Sequence, residues 1–307
     1  MRIQMLGLCR FSYVGLKGYQ TDHASFDERR AFLYDPARLA RRWFLFTRIA
    51  LPAWQAQTDP DFTLVIMAGP DLPEPYLSQL RDLCAAVPQF RLSLVPPMER
   101  HLPACRAAIE PHIDPAAEVI GHFRHDDDDA VAVDYIAGAR QDFAPVQGLW
   151  ARDGLLSLDH ARGFMLRAGG AGVQLIPRMC HNMGVALTIF ARPDQPVTAL
   201  HYDHSKLGTW MPGVSITRPL MFLRTMHEDS DSGSAMGPGH PWPANPEQYQ
   251  AQIWRRFRIR LDDLDRDLRT PGALVDRPGD SAYTPRYPAG NRSGDQNLDG
   301  QDPGPNP

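Results

Sequence analysis

Residues 117–131 read AEVIGHFRHDDDDAV. An apolar run of strand length ends on four consecutive aspartates, Asp126 to Asp129. Like charges this close repel one another. Either a solvated turn spreads them apart or a cation gathers them, and the surrounding sequence has to decide.

Upstream of the run, strand and helix signals alternate. RIQMLGLC (2–9) reads as a buried first strand ending at Arg10. In PARLARRWFLFTRIALPAWQAQ (36–57), Leu39, Trp43, Phe46, Ile49 and Ala50 recur at helical spacing, and Pro52 and the turn signal TDPD mark its end. FTLVIMAG (62–69) is a short apolar run of the kind found in fully buried parallel strands. The pattern continues with a helix over 73–87, a strand over 90–97, a short helix over 103–113, a strand over 117–125 and a helix over 134–143. This alternation predicts a mostly parallel α/β sheet flanked by helices. Ligands bind such sheets beyond the carboxyl ends of the strands, and the aspartates occupy one of those ends.

After Pro145 the pattern changes. ARGFMLR, GVQLIPRM, ALTIF and PLMFLRTMH are short strand-like runs between turn residues, which predicts a smaller mixed-strand extension. Residues 248–269 read as one late amphipathic helix. From Thr270 the chain is rich in Pro, Gly, Asp and Asn with almost nothing to bury, so 270–307 is expected to be a disordered tail. The expected organisation is one domain over 1–269, with its halves meeting near residue 145.

The 307 residues are 43% hydrophobic and 22% charged, enough apolar material for a sizeable core. A net charge of −4 and a pI near 6.2, with no basic stripe, argue against nucleic acid as the main partner. Cys9, Cys84, Cys105 and Cys180 form no CxxC pair and are expected to be reduced. The N-terminus is too short and interrupted for a signal peptide, and no apolar run reaches the ~20 residues of a bilayer span. A cytoplasmic protein is expected, with peripheral membrane contact left open.

Paired carboxylates at a strand end suit Mg2+ or Mn2+, hard cations that also hold substrate phosphates. The plainer reading is that the aspartates precede a helix at 134, where a carboxylate gains about 0.3–1 kcal/mol from the helix N-terminus. Four in a row exceed what that explains. An EF-hand fails, because its glycine and glutamate positions hold Val131 and Ala137. A DxDx[TV] nucleophile pattern spans Asp127–Val131 but lacks its downstream Lys and Asp partners.

A strand ending in Asp-x-Asp resembles the DxD motif of nucleotide-sugar glycosyltransferases of the GT-A fold. GLCRFSYVG (7–15), RRWFLFTRIALPAWQAQTDPDFTLVIMAGPDLP (41–73) and FRHDDDDAV (123–131) together resemble the bacterial rhamnosyltransferase family, over roughly residues 3–230. The resemblance implies a GT-A-like nucleotide-sugar-binding fold. It also implies metal-dependent transfer of a sugar, rhamnose or another deoxyhexose, from a nucleoside diphosphate to a glycan or lipid-linked acceptor. Carried over, Asp126 faces the nucleotide, Asp128 binds the metal, and Asp129 binds the metal or the sugar, with Asp127 the alternative one residue along. Arg10, Phe11 and Ser12, after the first strand, become candidates for base or phosphate contact. Arg124 either joins them or balances the aspartates. A late histidine completing the metal shell is His227, at a strand end, in preference to His204. Lys206 would meet the leaving diphosphate. An inverting transfer needs a carboxylate base, and Asp153, Asp159 and Asp203 are the candidates; a retaining transfer needs none. The rival readings are a metal-dependent phosphohydrolase or nucleotidyltransferase, and a binding module stabilised by a divalent cation.

Overall fold

The computed structural model describes residues 1–16, 25–169, 171–195, 199–227 and 246–270. The expected tail lies outside these residues, apart from Thr270. In the first half the chain runs through β1 (Ile3–Arg10), α1 (Phe26–Leu33), α2 (Pro36–Leu45), α3 (Leu51–Gln55), β2 (Thr63–Ala68), α4 (Tyr76–Ala86), β3 (Phe90–Leu94), α5 (His101–Ile109), β4 (Val119–Asp126), β5 (Ala130–Val131) and α6 (Tyr135–Phe143). It continues with α7 (Gln147–Asp153), β6 (Leu155–His160), β7 (Arg162–Gly169), β8 (Gly172–Met179), β9 (Leu187–Ala191), β10 (Gly213–Ile216), β11 (Phe222–Met226), α8 (Pro246–Phe257) and α9 (Leu261–Arg269).

Seven strands form the central sheet in the order β10-β6-β9-β4-β1-β2-β3. β3, β2, β1 and β4 are parallel, and β9 is antiparallel to both its neighbours, β4 and β6. Side-chain alternation divides the strands between two cores. Met5, Cys9, Leu64 and Ile66 pack with α2, α3 and α4, while Leu6, Leu8, Val65 and Met67 pack with Ala104, Cys105, Ala108 and Ile109 of α5. Helices therefore cover both faces, as a parallel sheet requires. A second sheet has the order β5-β11-β7-β8. Strands from both sides of Pro145 share the central sheet, so the two halves are knit by backbone hydrogen bonds.

The helix expected over 36–57 contains a π-turn over Phe46–Ala50. Leu51 N–H reaches back to the Phe46 carbonyl, immediately before Pro52, whose ring cannot sit against the carbonyl four residues earlier. The single helix expected over 248–269 is two. Arg258 adopts φ 59°, which ends α8, and the redirected chain buries Ile259. Arg260 then lies 4.6 Å from the Trp254 ring centre.

One close approach sets the height of β4 against β1. Gly7 is paired with Phe123, and a Cβ on Gly7 would stand 2.0 Å from the Phe123 ring. That ring stacks on Trp54 of α3 at 5.1 Å, and Trp54 meets His125 edge-on. Helix α3 thus buttresses the last turn of β4 from below.

Candidate active site

Asp126 ends β4 and pairs with Arg10, the last residue of β1, in the parallel register. The chain then turns, with the Asp129 N–H donating to the Asp126 carbonyl at 3.2 Å, and enters β5 of the second sheet. The acidic run is therefore one link between the two sheets; β6 also passes into β7 through Ala161 alone. Asp127, Asp128 and Asp129 are buried there, and Asp126 is part-exposed.

Two of the buried three share a partner, and the third has its own. Arg42 of α2 forks onto two of them. Its Nε donates to Asp127 Oδ2 at 3.1 Å, its Nη2 pairs with Asp127 Oδ1, and its Nη1 donates to Asp128 Oδ2 at 2.9 Å. His227, the residue after β11, places Nε2 2.8 Å from Asp128 Oδ2 and 3.4 Å from Arg42 Nη1. Asp129 Oδ1 accepts the Thr225 backbone N–H at 2.8 Å. Asp126 pairs loosely with Arg124, at 3.7 Å.

Charge follows this division. Burial works against the ionised form of Asp128, but Arg42 and the His227 hydrogen bond outweigh it and hold the carboxyl below the usual range. For Asp126 burial is likewise outweighed, by Arg124 and then Arg10. Asp129 goes the other way: burial, reinforced by the Asp128 charge, raises it well above an ordinary carboxyl. Beneath the turn, burial lowers His125 to about 4, so this imidazole is neutral.

Beside the turn lies the loop between β8 and β9, from Cys180 to Ala186. Asn182, Gly184 and Ala186 all have positive φ, at 54°, 89° and 55°. The folded loop then reaches three candidate groups, Asp159, His204 and Arg124, together with Arg224. The Asn182 N–H donates to Asp159 Oδ2 at 2.8 Å, and the Asn182 carbonyl lies 2.6 Å from His204 Nδ1. The Met183 carbonyl accepts Arg224 at 3.0 Å, and a Cβ on Gly184 would stand 3.1 Å from Arg124. Left-handed backbone concentrated in this way is costly and clusters at functional sites. The turn-prone pair Asn182 and Gly184 was its only signal in the sequence.

The structure sorts the carboxylates expected as bases. Asp153 ends α7 and pairs with Arg152 in solvent, and Asp203 caps a short 3-10 turn and pairs with Lys206, also in solvent. Asp159 is 1% exposed, near the end of β6. Because β6 and β4 both run antiparallel to β9, Asp159 lies at the same end of the sheet as Asp126, level with Arg124 and two strand spacings or about 10 Å across from it. Its Oδ2 also faces Ser215 Oγ at 3.3 Å, while its Oδ1 is buried without a hydrogen-bond partner among the described residues. Burial raises its pKa.

Two nucleotide candidates face inward. Phe11 is fully buried, packed on Trp43 and Phe46, and faces the core. Ser12, at φ 46°, is also buried and accepts Arg38 at 3.4 Å. Asp127 points to Arg42, not outward. Lys206 is exposed on its 3-10 turn. His204 is held by the 180–186 loop and does not join His227 at the turn.

A family model described as "Putative rhamnosyl transferase" matches residues 4–239. The chain belongs to this family. No curated protein matches it. Among solved structures it is similar to S. aureus TarS 1-349, with 8% identity and a TM-score of 0.35 over 72% of this chain and 60% of that one. The same protein in complex with UDP-GlcNAc gives 11% identity and a TM-score of 0.36, over 82% and 64%. The chain thus spans less than two thirds of these relatives. No helix among the described residues is long and apolar enough to cross a membrane.

For this glycosyltransferase family member the expected Mn2+ or Mg2+ site can be tested against the donor set. Among the described residues no group of three or more His, Cys, Asp or Glu is placed to hold a metal ion. Asp128 and Asp129 turn to different partners, and Asp128 and His227 are engaged by each other and by Arg42. As arranged, these residues do not fit a divalent ion.

Proposed function

We propose that the protein transfers a sugar from a nucleoside-diphosphate donor to a hydroxyl of a glycan or lipid-linked acceptor. The observation that carries this reading is one end of the sheet with two kinds of chemistry. Arg10, Arg124 and the part-exposed Asp126 stand at the ends of β1 and β4, and Asp159 lies at the end of β6 with one carboxylate oxygen unsatisfied.

The guanidiniums of Arg10 and Arg124 suit the oxygens of a diphosphate, and the Asp126 carboxylate accepts from ribose hydroxyls. Arg124 Nε is buried without a hydrogen-bond partner among the described residues. Asp159 takes the proton of the acceptor hydroxyl as its oxygen bonds to the sugar's anomeric carbon. The bond from that carbon to the diphosphate breaks, and the electron pair leaves with the diphosphate beside the arginines. Attack from the side opposite the leaving group inverts the anomeric centre. Family membership supports rhamnose, or another deoxyhexose, as the sugar. No step is assigned to a divalent ion.

A screen of nucleotide sugars for slow donor hydrolysis, followed by a transfer assay with the active donor, tests the reading. Release of free sugar and nucleoside diphosphate is expected. Release of inorganic phosphate in its place would favour a phosphohydrolase.

A further inference from the structure

The acidic turn already holds a cation. Arg42 is supplied by α2, whose first turn is capped by Asp35 and whose inner face carries Leu39. Arg38, one turn earlier, is fixed by Ser12 Oγ and the Leu33 carbonyl, each at 3.4 Å. The helix therefore presents Arg42 from a fixed base, with its side chain 12% exposed, to Asp127 and Asp128. A planar guanidinium matches paired carboxylates in a way no point charge does. Mg2+ needs near-octahedral oxygen ligands at about 2.0–2.1 Å. Here three of the four Asp127 and Asp128 carboxylate oxygens are not open to such an ion, being on Arg42 or His227.

We propose that Arg42 is the resident counter-ion of the acidic turn. It stands in the place of the divalent ion that the DxD pattern leads one to expect, and the nucleoside diphosphate is bound without a metal. Seating a metal between Asp127 and Asp128 would require Arg42 to withdraw from a nearly buried position. The statement about the donor rests on the function proposed above; the statement about Arg42 does not.

Mn2+ alone is the probe for Arg42. Titration of the full chain, followed by the electron paramagnetic resonance of free Mn2+, should show no tight site in the wild type. Arg42→Ala frees the Asp127 carboxylate, leaves Asp128 with His227 alone, and should bind Mn2+ at least about tenfold more tightly. Arg42→Gln repeats the comparison if the alanine variant fails to fold. A tight site in the wild type overturns the proposal, and so does a variant that gains no affinity. Binding of a nucleoside diphosphate to the wild type, measured by calorimetry, should be unchanged between EDTA and Mn2+. Binding only with Mn2+ overturns the metal-free donor site. If none of a panel of nucleoside diphosphates binds under either condition, the proposed function fails and the Mn2+ titration still judges Arg42.

Discussion

His227 Nε2 stands 2.8 Å from Asp128 Oδ2, although 99 positions separate the two residues in the chain. The contact spans the sheets, because Asp128 follows β4 and His227 follows β11. A hydrogen bond to a buried charged group contributes about 1.5–3 kcal/mol. His227→Ala and Asp128→Asn should each lower stability in urea unfolding. The double variant should lose clearly less than the two single losses combined, because both changes break the same contact. Strict additivity would show that the contact contributes nothing.

Gly7→Ala tests the packing beneath the site. The new methyl meets the Phe123 ring, which stacks against Trp54 and has no room to retreat. Overpacking of this kind costs about 1–3 kcal/mol. The pair Gly7→Ala with Phe123→Leu should recover most of the lost melting temperature. If the single variant melts like the wild type, β1 and β4 are not held at the height described.

His122 predicts an acid sensitivity. It is buried on β4, and burial lowers its pKa to about 4. The unfolded imidazole takes up its proton near the ordinary value of about 6.5. Between those values the unfolded state binds more protons, so stability falls as pH drops from about 6.5 towards 4. The loss from this residue reaches up to about 3 kcal/mol. His122→Gln should make that part of the stability profile shallower, with His125 still contributing over the same range, as read by urea titrations at several pH values.

Asp159→Asn should reduce transfer by about 10²- to 10⁴-fold, the usual contribution of a general base. The fold should survive, since a neutral amide replaces a buried carboxylate. In the wild type, activity should rise with pH through the Asp159 pKa, which burial places above the ordinary carboxyl value. Asp153→Asn and Asp203→Asn, both on exposed side chains, should leave turnover near the wild-type rate. Loss of activity in either of these with a normal Asp159→Asn would move the base.

The parallel half of the fold was legible because its signals are local. The apolar run of β2 is bounded by turn residues, and Leu39, Phe46 and Ile49 mark the helix that α2 and α3 share. Helix α1 was legible too but went unread: Ser25 caps it by accepting the Glu28 N–H, an S-x-x-E pattern. The direction of β9 was not, because a fully buried run such as ALTIF carries no periodicity that says which way it points. The role of Arg42 was hidden for a different reason. It stands beside the apolar stripe in a run of arginines, and its carboxylate partners lie 85 and 86 positions away. Sequence shows that a charge borders the core, and only the folded chain shows which charge it meets.

The connection between the sheets has a mechanical meaning. Asp126 closes β4 and Ala130 opens β5, so this joint consists of Asp127, Asp128 and Asp129, and a second short joint, Ala161 alone, carries β6 into β7. A joint this short cannot absorb rotation by slack. Any tilt of β5, β11, β7 and β8 against the central sheet must swing these carboxylates, and any ligand that pulls on Asp126 must load the same hinge. Core substitutions in the second sheet, at Leu166 or Phe222, therefore act on the site by leverage, far from any atom of a substrate.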